Sequence, residues 1–88
     1  EPATFLDIGH QLDLYRLLSE FAKQRLVVAV MHDLNHVLRW ANQVLLMHGG
    51  KLVSLGAPAT VLADSSMRKV FGVQARMSSD GTHLAYEV

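Results

Sequence analysis

The sequence predicts an α/β fold that combines parallel strands, helices that cover them, and antiparallel hairpins. Three observations carry this prediction. Residues 26–31 form an all-apolar run that stops at His32, where a helical pattern begins at once. Such a run is typical of a strand buried on both faces of a parallel sheet. Gly49 and Gly50 separate two mostly apolar segments, and apolar residues alternate with polar ones over 73–88, as is typical of hairpins.

In the first half of the chain, the sequence predicts a loop and two helices with the apolar strand between them. Residues 1–9 sustain no period and are predicted as a loop. Residues 10–23 carry apolar side chains at helical spacing. Their predicted buried stripe comprises Leu14, Leu17, Leu18 and Phe21, with Leu12 beside it. Asp33 is the predicted N-cap of the second helix. That helix is expected to bury Leu34, Val37, Leu38 and Ala41.

The second half predicts two hairpins with two short helices between them. Strands are predicted at 43–48 and 51–55, joined by the glycine pair. Pro58 fits the first turn of a helix that runs to Leu62. Asp64 or Ser65 is expected to cap another helix, which stops at Gly72. The buried side chains of that helix are predicted to be Met67, Val70 and Phe71. The last hairpin is expected to have one solvent-exposed face.

Composition narrows the classes of function. With 88 residues, the chain is expected to form at most one small domain. Its hydrophobic fraction of 50% is high for a soluble domain and suggests surface that something else covers. Eight basic and eight acidic residues balance to zero, so no charge excess favours nucleic acid or an anionic membrane as a partner. The absence of cysteine excludes disulfides and thiolate metal sites.

The apolar runs and the start of the chain give further expectations. No apolar run approaches the roughly 20 residues that span a bilayer, so direct membrane insertion is not expected. The first residues lack the basic region of a signal peptide. Because the chain does not begin with Met, we expect its native N-terminus to lie upstream.

His32 is the leading candidate for a functional side chain. In open α/β sheets, ligands bind beyond the carboxyl ends of the strands, which is where the predicted strand places this histidine. Its imidazole can donate a hydrogen bond to a phosphate or substrate oxygen. The alternative is a structural histidine that bonds to the backbone at a strand end. Asp33 is interpreted as a helix cap rather than a catalytic acid.

A metal site is a weaker alternative. His32 and His36, with Asp33 between them, approximate the H-E-x-x-H pattern of zinc hydrolases. That pattern needs both histidines on one helical face, whereas His32 is predicted to precede the helix. The third ligand of a catalytic zinc site is also unassigned. The remaining histidines are scattered along the chain: His10, His48 and His83. We therefore expect no metal site.

A phosphate-binding loop is missing from the sequence. Gly50 and Lys51 resemble the end of one, but the G-x-x-x-x-G-K-[ST] pattern needs an earlier glycine and a hydroxyl residue, and Leu52 stands at the hydroxyl position. Taken alone, Glu1 is compatible with a solvated chain end. Asp7 is compatible with a loop residue that accepts local backbone hydrogen bonds.

The order and spacing of these segments resemble the C-terminal part of an ATP-binding cassette (ABC) ATPase, over essentially the whole chain. The opening E-P-A-T-F-L-D is similar to the family's E-P-T-[SA]-x-L-D, where the Walker B strand ends and the D-loop follows. H-D-L-N at 32–35 is similar to the switch-histidine loop of the branch that takes up iron chelates, haem and cobalamin. A-N-Q-V at 41–44 and V-F-G-V at 70–73 resemble the tail of that domain. Ala3 and Asn42 stand where the family usually has Thr and Asp.

The resemblance implies a fold and a set of roles. The fold would be the C-terminal part of a P-loop NTPase domain. Residues 1–88 would be a single partial domain with the D-loop, the switch-histidine loop and the tail. Glu1 would be the general base that polarises the attacking water, and His32 would hydrogen-bond the γ-phosphate. Leu6 and Asp7 would lie in the loop that faces a second ATPase subunit and couples two nucleotide sites.

The resemblance also implies the surroundings of the parent protein. The parent would bind ATP and Mg²⁺ largely through motifs that this chain lacks, so we expect no cofactor on the 88 residues alone. Its partners would be a second ATPase subunit and membrane-spanning permease subunits. Its location would be cytoplasmic, held at the inner face of the cell membrane through the permeases.

Two other classes of function stay open on the sequence. The chain could be a stand-alone protein-interaction module whose apolar faces bind a partner, or, with less support, an HDxxH metal-dependent hydrolase.

Residues 26–31 are apolar on both faces and need neighbouring strands. Because open hydrophobic edges recruit other chains, we expect the isolated chain to form a homo-oligomer.

Overall fold

A computed structural model of the chain describes residues 2–3 and 5–87. The structure is α/β, and the strands that it describes form antiparallel hairpins. The chain divides into two compact units, Glu1–His32 and Asp33–Val88. None of the helices in the described part of the chain is long and apolar enough to cross a membrane.

The first unit is built on helix α1, Ile8–Ala22. Asp7 is its N-cap, because the Asp7 carboxylate accepts a hydrogen bond from the His10 backbone N–H at 2.9 Å. The helix begins two residues before the predicted start, since a cap at Asp7 places the first turn directly after it.

The covered face of α1 differs from the predicted stripe. Tyr15 is only 2% exposed, whereas Leu17 is 53% exposed and Phe21 is 45% exposed. Gln11 lies one turn before Tyr15 on the same face. The Gln11 side chain bonds to the backbone of the preceding loop, so this face is turned inward. The prediction that Leu17 and Phe21 are buried is therefore wrong for this structure.

Residues 26–31 do not form the predicted strand. Leu26 is 90% exposed and Val28 is 82% exposed, and the segment has no regular secondary structure and no ladder partner in the part of the chain that is described. A strand needs a neighbour to take up its backbone N–H and C=O groups. The apolar sequence therefore gives an irregular segment here and not a sheet strand.

The second unit begins with helix α2, Leu34–Trp40. The predicted cap is confirmed, because the Asp33 carboxylate accepts hydrogen bonds from the backbone N–H groups of Asn35 and His36. Val37 is the buried residue of the helix. The other predicted members of its stripe are partly exposed: Leu34, Leu38 and Ala41.

The first hairpin pairs β1, Val44–His48, with β2, Lys51–Gly56, as predicted to within one residue at each end. Gly49 and Gly50 have φ of 58° and 75°, the left-handed values that a tight two-residue turn requires. Leu46 faces the core at 7% exposed. The large apolar side chains that stay more than half exposed are Leu45, Met47, Leu52 and Leu55.

Two short helices follow: α3, Pro58–Val61, and α4, Asp64–Phe71. Gly72 ends α4 in the left-handed conformation, with φ of 68°, as predicted. The predicted side-chain cap is wrong, since Ala63 occupies the N-cap position of α4 and Asp64 is the first helical residue. Phe71 was expected inside but is 49% exposed. The fully buried core of this unit comprises Val61, Leu62 and Met67.

The terminal hairpin pairs β3, Gln74–Met77, with β4, Leu84–Glu87. The polar side chains of β3 point to solvent, and its apolar ones are partly buried. The connecting loop is organised by Asp80, which accepts hydrogen bonds from the hydroxyl groups of Ser78 and Thr82, each at 2.7 Å. The predicted hairpin is confirmed, and β3 has the predicted solvent-exposed face. The alternation is wrong for β4, because Tyr86, which it places on the same face as the buried Leu84, is 49% exposed.

Candidate functional site

His32 is solvent-exposed and lies directly before the N-cap of α2. Residues 26–31, which have no regular secondary structure, lead into it, and Asp33 follows with φ of −80° and ψ of 100°. The histidine therefore precedes the helix, and His36 lies within it. Since the helix boundary separates the two residues, they do not form the i, i+4 pair of a zinc-hydrolase helix.

The Asp33 carboxylate organises the turn that follows His32. One oxygen accepts the Asn35 N–H at 3.1 Å and the His36 N–H at 3.2 Å. The other oxygen lies 3.6 Å from Nδ1 of His36, whose side chain is 22% exposed. These contacts give Asp33 a structural role at the start of the helix, in agreement with its interpretation as a cap.

Asn35 joins the same turn to the terminal hairpin. Its Nδ2 donates to the Leu84 carbonyl at 3.1 Å, and the Leu84 N–H donates to its Oδ1 at 2.7 Å. Sequence reasoning missed this connection, because the partner lies 49 positions further along the chain. An asparagine in the first turn of a helix is common and gave no signal of a distant partner.

Leu6 and Asp7 lie in a turn that is fastened to α1. The Leu6 N–H donates to the Ala3 carbonyl at 3.1 Å. Gln11 Nε2 then donates to the carbonyls of Ala3 and Leu6, at 3.1 and 3.0 Å. Leu6 is 39% exposed, and the Asp7 side chain is 71% exposed while it caps the helix. The structure therefore presents both side chains on a well-defined turn. Glu1 lies outside the described residues.

Two carboxylates have lowered pKa values, and both belong to the second unit. Hydrogen bonds from Ser78 and Thr82 lower the pKa of Asp80 to about 2. The backbone N–H of Ala75 and the Arg68 guanidinium hold the pKa of Asp64 below its usual value. Each shift comes from donors that favour the charged form, so both carboxylates act as structural acceptors.

The residues that the structure describes contain no group of three histidine, cysteine, aspartate or glutamate side chains arranged to hold a metal ion. His10 lies beside the Asp7 carboxylate, and His36 lies beside the Asp33 carboxylate.

Comparison with known proteins identifies the family that the chain resembles. No protein-family model matches the chain. The hemin import ATP-binding protein HmuV of Rhizobium meliloti (strain 1021) is 45% identical over 84 residues, which is 94% of this chain and 32% of that protein. The match falls in the C-terminal region of such relatives. The chain is similar to the C-terminal part of ABC ATPase subunits. The ferric enterobactin transport ATP-binding protein FepC of Escherichia coli (strain K12) is 37% identical over 82 residues, which is 91% of this chain and 30% of FepC.

A third relative shows a similar identity and coverage. The achromobactin transport ATP-binding protein CbrD of Dickeya dadantii (strain 3937) is 35% identical over 82 residues, or 91% of the chain and 30% of the relative. The chain thus spans about one third of the length of the curated relatives that it matches. The family resemblance predicted from the motifs is confirmed, and the roles of Glu1, Leu6, Asp7 and His32 stay predictions.

Proposed function

We propose that this chain is part of the ATP-hydrolysing subunit of a bacterial ABC importer for iron chelates, haem or cobalamin. The observation that carries the proposal is the 45% identity, over 94% of the chain, to a protein named for hemin import and ATP binding. Relatives named for enterobactin and achromobactin transport support the iron-chelate class. The 88 residues alone lack the phosphate-binding loop, so we expect hydrolysis only from the complete subunit.

We assign His32 to the γ-phosphate of ATP. Phosphoryl transfer depends mainly on positioning and on electrostatic stabilisation of the phosphate oxygens, and an imidazole N–H is a suitable donor. The exposure of His32 directly before a capped helix supports this role, because the side chain is presented to solvent while the following turn is fixed by hydrogen bonds.

Glu1 is proposed as the general base that polarises the attacking water. A positioned carboxylate next to the γ-phosphate is the type of group that this step needs. We assign no Mg²⁺ ligand to the described residues. In the proposed subunit the metal would neutralise charge on the phosphates.

Leu6 and Asp7 are proposed to face a second ATPase subunit. The hydrogen bonds of Gln11 support this assignment, because they hold the turn that carries the exposed Leu6 side chain.

In this proposal residues 26–31 become a strand of the parallel sheet of a P-loop domain, and residues 1–88 form one partial domain. Permease subunits would anchor that domain to the inner face of the cell membrane.

The decisive experiment begins with the coding sequence upstream of Glu1. We expect an open frame that encodes G-x-x-x-x-G-K-[ST] and an apolar strand ending in Asp. The protein expressed from that frame should hydrolyse ATP. Glu1→Gln should lower the turnover by about 10²–10⁴-fold with ATP binding retained. Glu20→Gln, in the exposed pair with Lys23, serves as the control and should leave the turnover unchanged. A complete protein without hydrolysis, or with equal turnover in both variants, would contradict the proposal.

A protein-interaction module is the second candidate function. Four large apolar side chains of the first hairpin support it, since each is more than half exposed: Leu45, Met47, Leu52 and Leu55. An upstream frame that lacks a phosphate-binding loop would favour this candidate over the ATPase.

A further inference from the structure

We propose that Asn35 is a positioning residue for His32, through which the terminal hairpin acts on the histidine-bearing turn. The inference rests on the proposed contact of His32 with the γ-phosphate. It adds a residue that does not touch the nucleotide. It also gives the β3–β4 hairpin a function beyond packing.

The contact between Asn35 and β4 consists of two hydrogen bonds, which restrain both the distance and the orientation of the Asn35 side chain. The side-chain amide donates to the Leu84 carbonyl at 3.1 Å and accepts from the Leu84 N–H at 2.7 Å. Two hydrogen bonds to one residue fix the orientation of the amide as well as its separation. Leu84 is only 6% exposed, and both hydrogen bonds are part-buried. Removing the Asn35 side chain would therefore leave the backbone N–H and C=O groups of Leu84 partly buried and without these hydrogen-bond partners.

The main chain of Asn35 bonds to the residue that follows His32. The Asn35 N–H donates to the Asp33 carboxylate at 3.1 Å. Asn35 thus links β4, through its side chain, to Asp33, through its backbone. A movement of β4 relative to α2 would be transmitted to the N-cap, and His32 is covalently joined to that cap.

A second connection ties the hairpin to another helix. The Ala75 N–H of β3 donates to the Asp64 carboxylate at 2.8 Å, and Asp64 is the first residue of α4. This contact holds the hairpin without involving α2. The chain therefore offers a matched pair of contacts on one hairpin, of which only the one through Asn35 bonds to the turn next to His32.

The test compares Asn35→Ala with Asp64→Ala in the complete ATP-binding subunit. We expect Asn35→Ala to lower kcat about tenfold, because small displacements of a positioned group have large effects on rate. The KM for ATP should stay within about twofold, since the contact acts on turnover rather than on binding. Asp64→Ala should lower the melting temperature to a similar extent and leave kcat unchanged. Asn35→Asp, which keeps an oxygen acceptor for the Leu84 N–H, should give an intermediate kcat.

Two results would overturn the inference alone: an active wild-type subunit whose kcat is unaffected by Asn35→Ala, or equal losses of kcat in Asn35→Ala and Asp64→Ala. The second result would mean that loosening the hairpin, and not the link to His32, slows turnover. A wild-type subunit that does not hydrolyse ATP would overturn the proposed function and this inference together.

Discussion

Two apolar segments of similar length adopt different structures in this chain. Residues 44–48 pair with 51–56 as a hairpin, whereas residues 26–31 form no strand and leave large apolar side chains exposed. The difference lies in where each segment finds its partner. A two-residue turn brings the partner of β1 next to it, but a parallel strand needs a neighbour that arrives through a long crossover. Apolar sequence is therefore enough for a strand only where the partner is close in the chain.

Self-association is the largest effect expected from residues 26–31. Because this segment exposes apolar side chains and forms no strand, the isolated 88-residue chain should form a dimer or larger assembly at micromolar concentration. Val28→Asp, at a position that is 82% exposed, should shift the mass to that of a monomer. Leu45→Asp, on the exposed face of the closed hairpin, is the matched control and should leave the assembly intact. Sedimentation equilibrium measures the mass. A stable wild-type monomer would contradict the expectation.

The sequence predicted the elements whose determinants are local. Asp33 as a cap, the glycine pair as a turn and Gly72 as a helix end all depend on residues within a few positions, and all are confirmed. The stripe of α1 was predicted only in part: Leu14 and Leu18 are partly buried, but Leu17 and Phe21 are exposed and Tyr15 is buried instead. Gln11, one turn before Tyr15, bonds to the loop before the helix, a contact that helical spacing does not reveal. The contact of Asn35 with Leu84 was missed for a similar reason, since its partner is distant in sequence.

Two glycines should respond in opposite ways to the same substitution. Gly50 has a φ of 75°, so Gly50→Ala forces a side chain into the left-handed region and should destabilise the hairpin unit by about 1–2 kcal/mol. Gly9 lies in α1, and an added Cβ would lie at an ordinary contact distance of 3.7 Å from the Asp7 carboxylate. Gly9→Ala should therefore stabilise the helix, by roughly 0.5–1 kcal/mol. Chemical denaturation measures both, and equal signs would contradict the local account of the turn.

The smallest effect concerns the loop of the terminal hairpin. The pKa of Asp80 is lowered to about 2 by hydrogen bonds from Ser78 and Thr82. A lowered carboxyl pKa stabilises the folded loop at pH values above the ordinary value of 3.8, and this contribution is lost as the pH falls from about 4 towards 2. Asp80→Asn should remove that part of the pH dependence. NMR titration of the carboxyl carbon measures the pKa, and a value at or above 3.8 would show that the hydrogen bonds do not form.

The two segments also differ in what the proposed catalytic site would require of them. In the proposed function, residues 26–31 become a strand only inside the complete subunit, and His32 then lies at its carboxyl end. The α2 cap and the hairpins, by contrast, depend on contacts within this chain. The proposed catalytic site would therefore join a locally determined turn to a segment that needs distant partners.

Turnover of the complete subunit with His32→Ala tests the central claim most directly. If His32 stabilises the γ-phosphate in the transition state, kcat should fall by about 10²–10³-fold while the Kd for ATP is largely unchanged. His48→Ala, at an exposed position of β1, is the control and should retain wild-type turnover. Near-normal turnover of His32→Ala would show that this histidine is structural and would contradict the account.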